Sequence, residues 1–359
     1  MKPLRLIPAN DTFRALSSCI EMLDGKIALY ITDPELNGLM PEVNGLPDQV
    51  PEDVALIVES SGSTGTPKRI ELSAAALRAS AEASAKRLGG SGQWLLALPT
   101  RFIAGINVLV RSVIADTQPI MMNAQLPFTA DAFFRAASLM TESKRFTSLV
   151  PAQLARLLAA VRTDAYSLSL LRRFDAVLLG GQMPDEEVVA ELRELGVNIV
   201  ISYGMSETAG GCVYDSVPLD GVGISIRDGR IAISGPTLAN GLGEEYLTND
   251  LGEMVAGKLI VLGRADRVLI SGGHKVSLEA VEQRASQLAG VVEIAAAAVA
   301  TSWGESVGLV YVGSPEVDFG ILEELSIAAK PHRVLQVQAL PRLQSGKPDL
   351  VAIRALLSE

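Results

Sequence analysis

Histidine, cysteine, clustered basic residues and long apolar runs are all scarce or missing in this chain of 359 residues. Its two histidines, His274 and His332, are too few for most His-based metal sites and argue against a Ser-His-Asp hydrolase. The two cysteines, Cys19 and Cys212, lack metal-ligand spacing and are interpreted as reduced thiols. No run of about 18 apolar residues occurs, so no membrane span is predicted.

Charge further limits the partners that this chain can have. A net charge of −10 without a basic cluster argues against nucleic acid as a partner. The first residues, Met1 to Arg5, lack the long apolar core of a secretory signal, which favours a cytoplasmic protein. If such an acidic chain binds an anion, isolated lysines and arginines in glycine-rich segments are the first candidates to hold it.

One segment rich in glycine and hydroxyl residues directly follows the apolar strand pattern Val54–Val58. It reads Ser60-Ser61-Gly62-Ser63-Thr64-Gly65-Thr66-Pro67-Lys68. Glycine lets backbone N–H groups turn toward an anion, hydroxyls add donors, and the lysine adds positive charge. The segment therefore predicts a loop that holds a polyphosphate, although it is not the G-x-x-x-x-G-K-[ST] loop. A flexible surface loop is the alternative that composition alone allows.

Short apolar strand patterns alternate with helical patterns from residue 54 to about 200. Helices are predicted at Ala74–Leu88 behind the capping Ser73, at Pro151–Ala160, and at Pro184–Leu195 with an acidic first turn. Such alternation predicts an α/β fold of mostly parallel sheets wrapped by helices. Ligands are expected beyond the carboxyl ends of the strands.

The pattern changes after Gly204, because residues 212–262 read as short strands joined by turns. The charged junction Gly263-Arg264-Ala265-Asp266-Arg267 follows, and a smaller α+β pattern lies beyond it. We predict a large domain at 1–265, which includes a β-rich subdomain, and a small mobile C-terminal domain at 266–359.

A second polar segment, Ile201–Thr208, leaves a predicted strand and contains Tyr203, Gly204, Glu207 and Thr208. A tyrosine in this position can stack on a base. A carboxylate can hold the Mg²⁺ that accompanies nucleotide phosphates. Taken alone, the segment is equally well explained as an ordinary turn.

Together the two segments resemble the adenylate-forming superfamily of acyl-CoA synthetases, adenylation domains and luciferases. Further segments match that superfamily in the same order along the chain: Leu179–Gln182, Thr248–Gly252, Gly263–Asp266, Ser271–Val276 and Pro341–Lys347. The resemblance implies ATP and Mg²⁺ as ligands, coenzyme A as co-substrate and a carboxylic acid as the molecule activated.

The resemblance also implies a role for each matching residue. The residues implied to bind the β- and γ-phosphates of ATP are Ser61, Gly62, Ser63, Thr64, Gly65, Thr66 and Lys68. Those implied to surround the adenosine are Gly180, Gly181, Gln182, Ser202, Tyr203, Gly204, Asp250 and Arg264. Within that set, Tyr203 is implied to stack on adenine, and Asp250 and Arg264 to hold the ribose.

Catalysis is implied to depend on Lys347, Thr208 and Glu207, with Glu207 binding the metal and Thr208 the α-phosphate. A carboxylate that approaches an equally anionic phosphate is repelled, and a cation such as Lys347 between them stabilises the transition state. Asp266 is implied to be a hinge. Three residues behind it are implied to face coenzyme A: Gly272, Gly273 and Lys275.

Each of these assignments has a structural alternative. Lys347 is also typical of a solvated lysine in a polar tail, and Arg264 with Asp266 of a surface ion pair. Asp250 follows Asn249 and fits an Asx turn equally well.

Further segments resemble one family within the superfamily, the o-succinylbenzoate–CoA ligases of menaquinone biosynthesis in their short actinobacterial form. They are Leu98–Gly105, Val108–Val113, Thr147–Leu154 and Tyr203–Gly211. An aromatic dicarboxylate is then the implied substrate. Arg111 is the candidate for binding the second carboxylate of this substrate, and the alternative is an arginine on the helix surface that packs by its stem. Ser206, Gly210 and Gly211 are candidates for leaving space for the aromatic ring of the substrate. Phe102 stands where many relatives have a histidine.

Three other functions stay open at this stage. They are another aryl- or acyl-CoA ligase, a stand-alone adenylation enzyme that loads a carrier protein, and a nucleotide-binding protein without turnover. The phosphate loop begins at residue 60, so the expected N-terminal region is shorter than in typical members. The oligomeric state stays open as well, with a homodimer as one option.

Overall fold

The computed structural model describes residues 1–34, 43, 45–60, 68–123, 126–271, 273–301, 304–343 and 348–358. Within these ranges the chain forms two large sheets of mostly parallel strands, covered by helices, followed by three smaller sheets in which only the last pair of strands is parallel. The predicted α/β class is therefore confirmed.

The first sheet has the strand order β3-β1-β2-β4-β5. Its strands are β1 (Lys2–Pro8), β2 (Ala28–Thr32), β3 (Gln49–Val50), β4 (Leu56–Ser60) and β5 (Lys68–Leu72). Strands β1, β2 and β4 run parallel, while β5 returns antiparallel beside β4 and pairs Lys68 with Ser60. The predicted phosphate loop joins these two strands, and its residues Ser61 to Thr66 lie outside the described ranges.

The second sheet has the order β12-β11-β10-β9-β8-β6-β7. Its strands are β6 (Gln93–Leu96), β7 (Ile120–Met121), β8 (Arg145–Leu149), β9 (Ala176–Leu179), β10 (Ile199–Met205), β11 (Gly210–Tyr214) and β12 (Val217–Pro218). Strands β6 to β10 all run parallel to one another. Strand β11 pairs antiparallel with β10 on one side and with β12 on the other. Because β9 and β10 are parallel neighbours, the segments that follow them emerge side by side.

Seven helices of the described residues cover these sheets, and local signals predicted some of them. The seven are α1 (Thr12–Leu23), α2 (Ala74–Arg87), α3 (Ile103–Ile114), α4 (Ala130–Ser138), α5 (Pro151–Val161), α6 (Ala165–Leu171) and α7 (Glu186–Glu194). The predicted Ser73 cap is confirmed, since its Oγ accepts the N–H of Ala76 at 3.0 Å. Helix α7 begins two residues later than predicted because Asp185 is its cap and accepts the N–H of Glu187 at 2.9 Å.

The β-rich part that follows is a four-stranded antiparallel sheet in sequential order. Its strands are β13 (Gly223–Arg227), β14 (Arg230–Ser234), β15 (Glu245–Val255) and β16 (Lys258–Arg264). A 3₁₀ turn at Ala265–Arg267 leads to the last elements. These are β17 (Val268–Ser271), β18 (His274–Ser277), α8 (Leu278–Ser286), β19 (Val291–Thr301), β20 (Gly304–Gly313), β21 (Pro331–Gln336) and α9 (Leu350–Ser358).

The main core lies between the two large sheets, where α3 is buried along residues 105–112. Among the described residues, the buried apolar clusters contain either residues up to 261 or residues from 269 onward, and no cluster contains both. The domains at 1–265 and 266–359 stay a prediction. In the ranges that the structure covers, no helix is long and apolar enough to cross a membrane.

Candidate active site

The end of β10 carries the predicted adenine-stacking residue beside the glycine-rich turn that follows β9. Tyr203 lies where the pairing between β10 and β11 shifts register, next to Gly204. A Cβ at Gly180 would lie 3.1 Å from the carbonyl oxygen of Ser202, so these two predicted segments are in contact. Gly181 has a φ of 87° and, like Gln182, is exposed. The structure thus brings together the two segments that were assigned to the adenosine.

Tyr203 is joined to Asp250 by a short hydrogen bond. Its phenol hydroxyl donates to Asp250 Oδ2 at 2.7 Å. Burial, followed by the nearby charge of Asp250, raises the pKa of Tyr203, so the phenol stays protonated and remains a donor. The Asp250 side chain is 13% exposed and lies 3.5 Å from Arg264 Nη1. The three residues assigned to adenine and ribose therefore form one cluster.

Strand register explains why Asp250 and Arg264 meet. Asp250 on β15 is paired directly with Arg264 on β16. Thr248 supports this part of β15, because its Oγ1 donates to the carbonyl of Ile231 at 2.8 Å and accepts the N–H of Asp250 at 3.0 Å. The carboxylate is therefore held by backbone pairing as well as by its own contacts.

Arg230 also supports this part of β15, and nothing in the sequence predicted a role for Arg230. Its Nε donates to the carbonyl of Thr248 at 2.7 Å and its Nη2 to Asn249 Oδ1 at 2.9 Å. The Arg230 side chain reaches Thr248 and Asn249 because β14 lies beside β15. The pairing of the two strands, rather than a local motif, gives Arg230 this position.

The 3₁₀ turn Ser206–Thr208 carries the predicted metal and phosphate residues. Thr208 is fully buried, and its Oγ1 donates to the carbonyl of Gly210 at 2.7 Å and accepts the N–H of Met205 at 3.0 Å. Glu207 is 9% exposed, and its carbonyl accepts the N–H of Ala239 at 2.9 Å. Ser206 closes the turn by accepting the N–H of Ala209 at 3.1 Å.

The metal-ligating side chains of this site suit a metal ion that binds together with a nucleotide. Among the described residues, no group of three or more His, Cys, Asp or Glu side chains is placed to hold a metal ion. Mg²⁺ in nucleotide sites takes one or two protein carboxylates, with phosphate oxygens and waters as its other ligands. The single, nearly buried carboxylate of Glu207 is suited to that arrangement.

The glycines assigned to substrate space are required by close packing of the protein itself. A Cβ at Gly210 would lie 2.3 Å from Asn107 Nδ2, and one at Gly211 would lie 2.2 Å from Ser202 Oγ. Protein atoms occupy the space where their side chains would be, and the expectation that these two glycines leave room for a ring stays a prediction.

Arg111 is buried on α3, with 7% of its surface exposed. Its guanidinium lies 4.7 Å from the centre of the Trp94 ring, and Nη2 donates to the Tyr214 hydroxyl at 3.3 Å. Its Nε has no acceptor among the described residues, and the side chain lines a cavity of about 60 Å³ together with Gly90 and Ser91. The structure does not join Arg111 to the Tyr203–Asp250 cluster by any direct contact between described residues.

The residues around Asp266, the predicted hinge, are closely bonded. Arg264 holds the Asp266 carboxylate through Nε at 2.8 Å and Nη2 at 2.6 Å, which lowers the pKa of Asp266. The backbone N–H of Arg264 donates to Glu279 Oε2 on α8 at 2.8 Å. Glu279 therefore joins the proposed small domain to the last residues of the large one.

The remaining assignments fall on or next to segments outside the described ranges. Gly272 and Lys347 both lie outside them. Gly273 has a φ of 84°, and Lys275 is exposed on β18. Their roles toward coenzyme A and the substrate carboxylate stay predictions.

Replacing Glu279 with glutamine is expected to stabilise the protein more at pH 8 than at pH 4. Burial raises the pKa of this carboxyl above its ordinary value. A group with a raised folded-state pKa contributes stability below its unfolded pKa of about 4.3 and loses it as the pH rises through the folded value. Glutamine avoids that loss while keeping an acceptor for Arg264.

Thermal unfolding at both pH values measures this effect. Glu253→Gln, at an exposed position on β15, is the matched control. An equal shift of the melting temperature for Glu279→Gln at both pH values would contradict the prediction.

A comparison with protein families matches residues 15–257 to a family described as AMP-binding enzyme. A probable 2-succinylbenzoate–CoA ligase of Mycobacterium tuberculosis is 37% identical, over 98% of this chain and 97% of its own length. The 2-succinylbenzoate–CoA ligase of Escherichia coli is 30% identical, over 62% of this chain and 51% of its own length.

Solved structures share the fold. An o-succinylbenzoate CoA synthetase of Bacillus subtilis, in complex with its acyl-adenylate intermediate, superposes with a TM-score of 0.76 at 23% identity, over 98% of this chain and 83% of that one. The synthetase of the same organism in complex with ATP and a magnesium ion gives a TM-score of 0.74 at 24% identity, over 97% of this chain and 82% of that one. With the family match spanning most of the nucleotide site described above, the chain belongs to the AMP-binding enzyme family.

Proposed function

We propose that this protein is an AMP-forming ligase that activates 2-succinylbenzoate with ATP and transfers the acyl group to coenzyme A, a reaction of menaquinone biosynthesis. The observation that carries the proposal is the 37% identity with the M. tuberculosis protein, which spans nearly the whole of both chains. The AMP-binding family and the fold shared with o-succinylbenzoate CoA synthetases agree with it.

Nucleotide binding starts from the cluster around Asp250. The two ribose hydroxyls can donate to its carboxylate, which Tyr203 Oη and Arg264 Nη1 already hold at 2.7 and 3.5 Å. The Tyr203 ring offers a face on which the adenine can stack. Because the stacking residue is bonded to the ribose-binding residue, base and sugar are positioned together.

The first half-reaction is the attack of the substrate carboxylate on the α-phosphorus. A new O–P bond forms, the bond from the α-phosphorus to the bridging oxygen breaks, and pyrophosphate leaves with the electron pair. The carboxylate is already ionised at pH 7, so no general base is needed. Lys347 is proposed to neutralise the two approaching anions. Mg²⁺ bound by Glu207 would stabilise the charge on the departing pyrophosphate.

The second half-reaction transfers the acyl group. The thiol sulfur of coenzyme A attacks the acyl carbonyl, the carbon–oxygen bond to AMP breaks, and the thiol proton passes to solvent. We propose that the domain at 266–359 turns about Asp266 between the halves, withdrawing Lys347 and presenting Gly272, Gly273 and Lys275 to the thiol. The contact between Glu279 and the Arg264 N–H must open in that movement, because its partners lie on the two sides of the hinge.

Arg111 is our candidate for the carboxylate that is not activated. Its buried Nε–H has no acceptor among the described residues, so a carboxylate oxygen would satisfy a donor that is otherwise unpaired. The adjoining cavity of about 60 Å³ has room for a carboxylate group but not for an aromatic ring. The ring itself must therefore lie outside that cavity.

Pyrophosphate release across a panel of acids, with and without coenzyme A, tests the proposal. We expect release with 2-succinylbenzoate, a thioester product when coenzyme A is present, and no release with benzoate or fatty acids. Release with those monocarboxylates would favour another aryl- or acyl-CoA ligase. Release that yields no thioester would favour an adenylation enzyme, and no release with any acid would favour a protein without turnover.

The same panel with Arg111→Met tests the substrate assignment. Truncating one partner of a buried charge pair costs about 2–5 kcal/mol, so we expect the KM for 2-succinylbenzoate to rise about 30-fold or more. Arg145→Met is the matched control, since Arg145 is also buried, at 8% exposure, and bonds the carbonyl of Glu142. Equal effects of both variants would assign Arg111 to packing alone.

We further propose that the enzyme acts in the cytoplasm. ATP and coenzyme A are both available there. Cys19 and Cys212 are buried free thiols, as is usual in a reducing compartment.

A further inference from the structure

Two buried donors from neighbouring helices hold the carbonyl of Ala209, the residue that ends the turn carrying Glu207. Ser80 Oγ on α2 donates to it at 3.0 Å, and Asn107 Nδ2 on α3 donates to it at 2.9 Å. Both side chains are almost fully buried, with exposures of 1% and 3%. The sequence patterns did not single out either residue.

Ala209 depends on such support because its backbone is left-handed, with φ 51° and ψ 34°. An alanine in this conformation is sterically disfavoured. Its N–H closes the turn on Ser206, so relaxation of the Ala209 backbone would open the turn. Asn107 restrains the next residue as well, because it fills the space beside Gly210.

The other side of the turn is held by separate contacts. The carbonyl of Glu207 accepts the N–H of Ala239 at 2.9 Å, and Thr208 Oγ1 bonds the carbonyl of Gly210 at 2.7 Å. The main chain on both sides of the Glu207 side chain is therefore restrained. The donors on Ala209 complete this restraint from the helix side.

We propose that Ser80 and Asn107 are positioning residues that, through the Ala209 carbonyl, hold the Glu207 carboxylate where it meets the Mg²⁺ of bound ATP. The inference rests on the proposed function, in which Glu207 binds that metal. Their loss should weaken metal-dependent binding of ATP and leave binding of AMP unchanged, because AMP needs no Mg²⁺. A role in core packing alone would lower stability without this selectivity.

Ser80→Ala and Ser84→Ala make a matched pair on α2. Both serines are buried, but Ser84 Oγ lies 2.9 Å from the Tyr214 hydroxyl and does not reach the turn. Calorimetry measures the dissociation constants of ATP in Mg²⁺, of ATP in EDTA and of AMP. We expect Ser80→Ala to reduce the gain in ATP affinity from Mg²⁺ by about three- to tenfold, the effect of one neutral hydrogen bond. Ser84→Ala should leave that gain unchanged.

Asn107→Leu, which keeps the side-chain volume but removes the donor, should act like Ser80→Ala. If Ser80→Ala does not fold, Ser80→Cys keeps a weaker donor of similar size and should give a smaller loss in the same direction. An unchanged Mg²⁺ effect in the Ser80 and Asn107 variants would overturn the inference. So would an equal loss in Ser84→Ala.

Glu207→Gln separates failure of this inference from failure of the proposed function. It should abolish most of the Mg²⁺ effect in an otherwise wild-type chain. If it does not, the proposed role of Glu207 fails, and the inference fails with it. If it does while Ser80→Ala and Asn107→Leu bind as wild type, only the positioning role is lost.

Discussion

Replacing Lys347 with alanine is expected to slow acyl-adenylate formation by about 10²–10³-fold, the range found when one preorganised donor to developing charge is removed. Thioester formation from a supplied acyl-adenylate should be nearly unchanged, because no anion then attacks a phosphate. Pyrophosphate release and thioester formation from synthetic acyl-adenylate measure the two halves separately. Equal losses in both would contradict the assignment.

The described residues on either side of Lys347 are bonded to each other and to β19. Arg342 and Pro348 form a β-bridge, and the N–H of Asp349 donates to the carbonyl of Pro341 at 2.9 Å. Arg342 Nη2 also lies 2.8 Å from Glu293 Oε1 on β19. These contacts fix the described residues that flank Lys347 to each other and to β19.

Lys258→Ala is the control for loss of a lysine charge. Lys258 is exposed at the start of β16, and Arg264 ends the same strand. Six residues of extended strand put about 20 Å between them, beyond the Debye length in physiological salt. This variant should leave both half-reactions unchanged.

Replacing Asp250 with alanine is expected to weaken ATP binding by about 150-fold or more. The change removes the carboxylate that accepts the ribose hydroxyls, and hydrogen bonds to charged groups contribute about 1.5–3 kcal/mol each. It also leaves the buried Tyr203 hydroxyl without the acceptor at 2.7 Å, so the free energy of unfolding should fall by about 1–3 kcal/mol. Calorimetry with ATP and denaturant unfolding measure the two effects.

Tyr203→Phe distinguishes the two consequences of the Asp250 change. It removes the phenol hydroxyl and keeps the ring face for adenine, so its effect on ATP affinity should be much smaller than that of Asp250→Ala. An unchanged ATP affinity in Asp250→Ala would contradict the ribose-binding role. A loss in Tyr203→Phe as large as in Asp250→Ala would assign the effect to the hydroxyl.

Much of the local structure could be predicted because its signals act over a few residues. Ser73 caps α2 three residues from its donor, and α5 begins at Pro151, where a missing N–H is tolerated. By contrast, nothing predicted α1 or the strands β1 and β2 on either side of it. Strand β2 pairs with β4, which lies beyond it in the sequence, and β1 pairs with β2 and with β3.

The candidate site was predictable at the level of motifs and not of contacts. The order of segments along the chain associated Tyr203, Asp250 and Arg264 with one nucleotide. It did not predict that Tyr203 would bond Asp250, because 47 residues separate them. Nor did it predict the true neighbours of Gly210 and Gly211, which are Asn107 and Ser202.

The sequence by itself determined the alternation of strands and helices, the caps and turns, and which residue types follow which strands. Only the tertiary structure decided that Ser80 and Asn107 meet at the Ala209 carbonyl, which lies 129 and 102 residues away along the chain. It also decided that Arg230 reaches β15 beside Asp250, where it bonds the carbonyl of Thr248. The reason is physical. Caps and turns satisfy backbone groups within about four residues, whereas these contacts depend on strand register and on how helices pack on sheets.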